Sequence, residues 1–292
     1  VALLGLGNVY LRTDDARAAE DALTRAIEAE PRFSFSYVDR SRARLDQRDF
    51  GGAENDLSVA IEMDPEYPWH YVDRGRVRWE TRQFAAAVDD FSQAIALDPD
   101  TFITYVYRGR SHDELGNRAE ALADYETALE LRPDYDRIYP DLGRLHYLAG
   151  NWGAARSYFN REVQRIQPER STDPNELFSL YFLVTLTHLQ EGNRVEARNY
   201  ITRQSGQFPA TSAWRALARY YAGQASDSLV LRELDRESDD AVRARTYFFL
   251  AERSFIADSL RLFRSYAEEL IGFEYDRLIE HRIAEARLAE LE

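Results

Sequence analysis

Arginine recurs in this chain with a spacing that could serve recognition. Asn8, Arg42, Arg76, Arg110 and Arg144 follow one another at intervals of 34 residues. Asp39, Asp73 and Asp141 each stand three residues before an arginine of that column, and Tyr107 takes the place of the acid before Arg110. Phe35, Trp69, Trp79 and Tyr147 lie nearby in sequence. A planar guanidinium presents paired N–H donors to a carboxylate or to backbone carbonyls, and aromatic rings supply stacking surface. Such a column could grip an extended chain. The opposing reading is that Asp39–Arg42, Asp73–Arg76 and Asp141–Arg144 are helical (i, i+3) pairs that neutralise each other, each worth about 0.2–0.5 kcal/mol. Arg110 separates the two readings, because only Asp113 and Glu114 on the following turn are available to it.

Other candidate chemistry is weaker. His112, His146 and His188 occupy equivalent places in three consecutive units, as a metal ladder would. Neighbouring helices lie roughly 8–10 Å apart and Zn–N bonds are about 2 Å, so packing with a polar tip is the better reading. Arg44 and Arg78 fill the same column, which a metal site does not explain. Gly5-Leu6-Gly7-Asn8 lacks the preceding strand and third glycine of a dinucleotide loop. His112-Asp113-Glu114-Leu115 spells a retention signal that acts only at a C-terminus. The pairs Asp14-Asp15, Asp89-Asp90 and Asp239-Asp240 fall at helix starts or on an outward face, where capping or solvation is expected. Cysteine and lysine are both absent, which removes disulfides, thiol catalysis, Schiff bases and the phosphate-loop lysine. No enzyme, cofactor or metal is expected.

The elements that position these residues come from internal repetition. Ala19, Ala53, Ala87, Ala121 and Ala155 recur every 34 residues, as do Ala26, Ala60, Ala94 and Ala128, and Pro31, Pro65, Pro99 and Pro133. Gly7, Ser41, Gly75, Gly109 and Gly143 form a column of small residues, opposite the large ones Leu23, Leu57, Phe91, Tyr125 and Phe159. Tyr37, Tyr71, Tyr105 and Tyr139 keep the same phase. Each unit reads as two helices; in the second, 35–47 is helix A and 50–63 helix B, stopped by Pro65. One hairpin cannot bury its apolar face alone, so neighbours must stack.

These columns, best seen in 71–99 (YVDRGRVRWETRQFAAAVDDFSQAIALDP) and 105–133 (YVYRGRSHDELGNRAEALADYETALELRP), resemble the tetratricopeptide repeat family in its bacterial form. The resemblance implies an all-α right-handed solenoid of stacked helical hairpins. It covers five regular units over 1–166. Arg40, Arg74 and Arg108 stand where many members have leucine. A loop is expected over 167–176, then three increasingly degenerate hairpins over 177–272, and a capping helix over 273–292 with the apolar stripe Tyr275, Leu278, Ile279, Ile283 and Ala286. The chain opens on Val1 inside a helix, and reads as an excised or processed piece with room for further repeats upstream.

In this family one face of helix A lines a concave groove where extended peptides bind. The resemblance therefore places Asn8, Asp39, Arg42, Trp69, Asp73, Arg76, Trp79, Tyr107, Arg110, Asp141 and Arg144 on the binding face. Charge segregates accordingly. The A helices 35–47, 69–81 and 103–115 hold 8 Arg and 6 acids, and the B helices 50–63, 84–97 and 118–131 hold 1 Arg and 9 acids. The net charge of -14 is thus expected on the convex side. The carboxylate-gripping activity of some members is not carried over, since only Asn8 matches its pattern. Phe182, Leu186 and Leu189 make the sixth unit apolar on the same face; either the C-terminal helices fold over it or a partner's apolar anchor does.

The expected function is a scaffold holding an acidic or mixed-charge peptide segment of a protein partner. The alternatives are a spacer or assembly subunit that stacks on copies of itself or its neighbours, and an accessory region of a larger enzyme. An acidic chain is a poor prior for nucleic acid. No apolar run approaches the roughly 18 residues of a spanning helix, so no membrane insertion is expected. A soluble protein, cytoplasmic or periplasmic, is the resulting expectation.

Overall fold

The computed structural model describes residues 2–166, 173–210, 212–273, 275 and 278–291. Among them there are seventeen α-helices and no strand, in two compact units, Val1–Tyr135 and Asp136–Glu292.

The first unit stacks four hairpins. Its helices are α1 (Ala2–Arg12), α2 (Ala16–Ala29), α3 (Ser34–Asp46), α4 (Phe50–Met63), α5 (Pro68–Glu80), α6 (Phe84–Leu97), α7 (Phe102–Glu114) and α8 (Arg118–Leu131). Each A-to-B turn contains one left-handed residue, in the same column: Asp14 (φ 56), Arg48 (φ 62), Arg82 (φ 60) and Gly116 (φ 78). The Asp15 and Asp49 side chains then cap helix B by accepting from the Ala18 and Gly52 amides. The small and large columns meet inside each hairpin. A Cβ on Gly75 would lie 2.7 Å from the Phe91 ring, and one on Gly109 would lie 2.8 Å from Tyr125. Where serine replaces glycine, at Ser41, the residue facing it in the repeat is the slimmer Leu57.

Charged ties hold the stack as well. Arg40 binds Asp56 with Nε and Nη2 (2.9 and 2.6 Å), and its Nη1 donates to Thr24 on the preceding helix B. Arg74 repeats this with Asp90 and Ser58, and Arg108 with Asp124 and Ser92. This explains arginine in a leucine column: one planar fork joins two successive B helices. It also corrects the expectation for the acids of helix B. Asp56, Asp90 and Asp124 are buried rather than outward, so Asp90 of the Asp89-Asp90 pair is an internal ion-pair partner.

The second unit contains α9 (Tyr139–Leu148), α10 (Trp152–Arg165), α11 (Pro174–Gln190), α12 (Arg194–Gln204), α13 (Ala213–Tyr221), α14 (Asp227–Leu234), α15 (Asp240–Ile256), α16 (Leu260–Ile271) and α17 (Ile279–Glu290). Residues 167–172 of the expected loop lie outside the described residues. Its last three belong to α11, because Asp173 caps that helix by accepting from the Asn175 amide and Pro174 suits its first turn. Phe182 lies at the centre of the core, with the rings of Phe208, Trp214, Tyr221 and Phe249 at 5.1–5.6 Å. Of the apolar stripe expected here, Ile283 is buried and Tyr275 and Ile279 pack against the core, but helix α17 buries charged residues as well. Its buried residues are Glu280, His281, Ile283, Ala284 and Arg287, whereas Ala286 is only half-buried.

Candidate protein-binding face

In the first unit, residues seven apart on a helix share a face, which aligns Phe35 with Arg42 and Trp69 with Arg76. The Arg42 and Arg76 side chains are 58% and 56% exposed, and Phe35 and Trp69 are exposed beside them. The polar groups form a chain across successive A helices. Asn8 hydrogen-bonds Asp39, Asp39 accepts from Arg42 Nη1 at 2.9 Å, and Arg42 Nη2 reaches Asp73 at 3.9 Å. Asp73 lies 3.8 Å from Arg76 Nη1, and the Arg76 guanidinium lies over the Tyr107 ring at 5.6 Å. Tyr107 in turn stacks on Phe91. Burial pushes the carboxyls of Asp39 and Asp73 up, against the opposing pull of Asn8 and Arg42 on the first and of Arg42 and Arg76 on the second.

The helical (i, i+3) pairing read from the sequence is present, yet the guanidinium groups of Arg42 and Arg76 keep more than half their surface. Arg110, half-buried on α7, makes no ion pair among the described residues. Trp79 is less available than its sequence position suggests. It is half-buried, packed on Phe84 at 6.3 Å and joined to the α5–α6 core.

The second unit corrects the remaining positions. Arg144 is 3% exposed and lies 3.8 Å from Asp141, so it presents no free fork to a partner. Its helix, α9, packs against α17. Tyr147 on α9 donates to Glu252 of α15, and Arg287 of α17 donates to Glu252 at 3.0 Å while lying over the Tyr147 ring. Ser179 on α11 donates to Glu280 of α17. Phe182 and Leu186 are fully buried. Of the two alternatives for this apolar face, the chain's own C-terminal helices cover Phe182 and Leu186, while Leu189 is only half-buried. The signal was present as Glu280 and Arg287, seven residues apart on one face of α17, but polar residues on a terminal helix read as a solvent-facing cap.

The histidine column is structural in its contacts. His146 stacks on Tyr158 (5.5 Å, 7°) and His188 lies 6.3 Å from the Tyr200 ring. In the same column, Arg44 and Arg78 tie Glu20 and Glu54 of the preceding helix B. Among the described residues no three His, Asp or Glu side chains gather as a metal cluster would require, and no helix is long and apolar enough to cross a membrane.

The tetratricopeptide repeat sequence pattern matches residues 4–68, 38–102 and 106–171, together more than half of the chain. The chain belongs to the tetratricopeptide repeat family. No curated protein sequence matches it significantly. Among solved structures it is similar to a tetratricopeptide repeat protein of Parabacteroides merdae, at 16% identity over 90% of this chain and 98% of that one, with a TM-score of 0.56. YrrB, described as a protein of this repeat type with an unusual peptide-binding site, is 18% identical over 73% of this chain and 98% of its own, with a TM-score of 0.55. PilW, a type IV pilus biogenesis factor, is 21% identical over 72% of this chain and 93% of its own, at 0.53. At these identities the likeness bears on the helical-repeat fold alone. The tetratricopeptide repeat match ends at residue 171, and the helices from α11 onward lie beyond it.

Proposed function

We propose that this tetratricopeptide repeat protein is a protein-interaction scaffold, and that its first unit holds an extended peptide segment along α3, α5 and α7. One observation carries the reading: the exposed guanidinium groups of Arg42 and Arg76 share their helical faces with the exposed rings of Phe35 and Trp69. Exposed apolar surface rimmed by charge is a usual mark of a binding site. The family and the peptide-binding description of YrrB are in keeping with it.

The geometry favours a mixed-charge ligand over a strongly acidic one. Asp39 and Asp73 alternate with Arg42, Arg76 and Arg110, so these five residues carry a net charge near +1. Ligand carboxylates or carbonyls would meet Arg42, Arg76 and Arg110, apolar side chains would rest on Phe35 and Trp69, and a ligand cation would meet Asp39. Arg144, Asp141 and Trp79 have no part in this reading.

The experiment is selection of linear peptides from a random display library on the immobilised chain, followed by hydrogen exchange on the complex. Slower exchange concentrated in α3, α5 and α7 is expected. Slowing confined to the B helices α4, α6 and α8 would contradict the assignment.

A further inference from the structure

The second unit contains a cleft that the proposed peptide face does not use. It has a volume of about 580 Å³ and opens where the α11–α12 and α15–α16 turns meet the end of α17. That volume is in the range of small-molecule sites, roughly 300–1,000 Å³. Leu189, Phe255, Ile256, Leu260 and Leu291 supply apolar wall, and Leu260 is 46% exposed at the lip. Arg194 and Arg253 also line it, and neither forms an ion pair among the described residues. Arg253 is half-buried, and its Nε is buried without a hydrogen-bond partner.

A half-buried guanidinium beside apolar walls is poorly solvated, so an anion that replaces its lost hydration is favoured there. Asp258, also lining the cleft, sets a limit on that anion. A doubly charged phosphate would meet an acid at close range, whereas a carboxylate brings one charge and a planar pair of acceptors matched to the fork. We infer that this cleft binds a small amphipathic carboxylic acid, its carboxylate on Arg253 with Arg194 beside it and its hydrocarbon against Phe255, Ile256 and Leu260.

The test is calorimetric titration of the full chain with sodium octanoate below its micellar range, with octylamine and octanol as probes of equal length. Saturable octanoate binding is expected, with the amine and alcohol at least about tenfold weaker, the equivalent of one charge-assisted contact. Arg253→Met should weaken octanoate by about tenfold or more with the thermal melting curve retained. Should that variant fail to fold, Arg194→Met, at an exposed position, should weaken binding several-fold. Equal binding of octanoate and octylamine would overturn the proposal, as would unchanged affinity in a folded Arg253→Met chain. A short peptide ending in a free leucine carboxylate forms the last arm. Saturable binding of that peptide with none of octanoate would overturn the small-acid assignment in favour of a protein C-terminus.

Discussion

Arg108 on α7 and Asp124 on α8 form a two-pronged ion pair, Nη2 to Oδ1 at 2.6 Å and Nε to Oδ2 at 2.9 Å, in which the carboxylate is buried. The equivalent pair one repeat earlier, Arg74–Asp90, has a second cation, since Arg78 Nη1 also reaches Asp90 at 3.0 Å. His112 replaces that second arginine in the later repeat. Arg108→Leu therefore strands Asp124, whereas Arg74→Leu leaves Asp90 with Arg78. We expect Arg108→Leu to cost about 2–4 kcal/mol and Arg74→Leu about 1 kcal/mol less. Urea unfolding midpoints of the two variants check the order, and equal losses would contradict the two-cation account.

Gly75→Ala should destabilise the first unit by about 1–3 kcal/mol, in spite of alanine's better helix propensity, because its Cβ would collide with Phe91. The chain's own Ser41 facing Leu57 suggests the remedy. A leucine there still has to shift, since a Cβ on Gly7 would lie 2.5 Å from Leu23. The Ser41–Leu57 pair has made that shift, and Gly75→Ala combined with Phe91→Leu should unfold at higher urea than Gly75→Ala alone.

His70 is 1% exposed among Phe35 and Tyr67, and burial pushes its imidazole pKa down, with Asp64 opposing. A base whose folded pKa is depressed binds its proton better in the unfolded chain. Its contribution is present above the ordinary value near 6.5 and is lost as pH falls from there through the lowered folded value. His70→Phe should remove that loss. The stability difference between wild type and His70→Phe, followed from pH 7 downward, should shift in favour of the variant below about pH 6.5. His188 carries a depression of the same sign, so the His70→Phe variant retains a smaller acid dependence of its own.

Asp73 has the opposite linkage. Burial raises its carboxyl pKa, so stability falls as pH rises from the ordinary carboxylate range through the raised value. Asp73→Asn should be at least as stable as wild type at neutral pH, with the advantage fading in acid. It also leaves Arg42 and Arg76 without their shared acid, so acidic peptides selected on this face should bind several-fold tighter.

Helix α17 gives the sharpest packing test in the second unit. Arg287→Met leaves Glu252, fully buried, with Tyr147 alone, at an expected cost of about 3–5 kcal/mol. Adding Glu252→Gln should recover much of it, read as hydrogen-exchange protection of α15 and α17.

The repeat columns made the first unit legible in detail. The sequence placed helices over 35–47 and 50–63, and they run Ser34–Asp46 and Phe50–Met63. Periodicity works there because each position meets the same neighbours every 34 residues. It failed where a contact was specific. Asp90 looked like a solvated helix acid, since nothing local indicates that Arg74 reaches it from another helix. Arg144 continued the ladder in sequence yet is buried, because its neighbours in the second unit differ from those of Arg42. The break between α15 and α16 comes at the left-handed Asp258, a turn with no glycine to announce it.

The most direct test of the account is the affinity of a library-selected peptide for the full chain and for the combined Arg42→Ala, Arg76→Ala and Arg110→Ala variant, each with melting curves recorded alongside. The account predicts a loss of about 100-fold or more, with a salt-dependent wild-type affinity and an intact fold. Undiminished binding by the folded triple variant would contradict it.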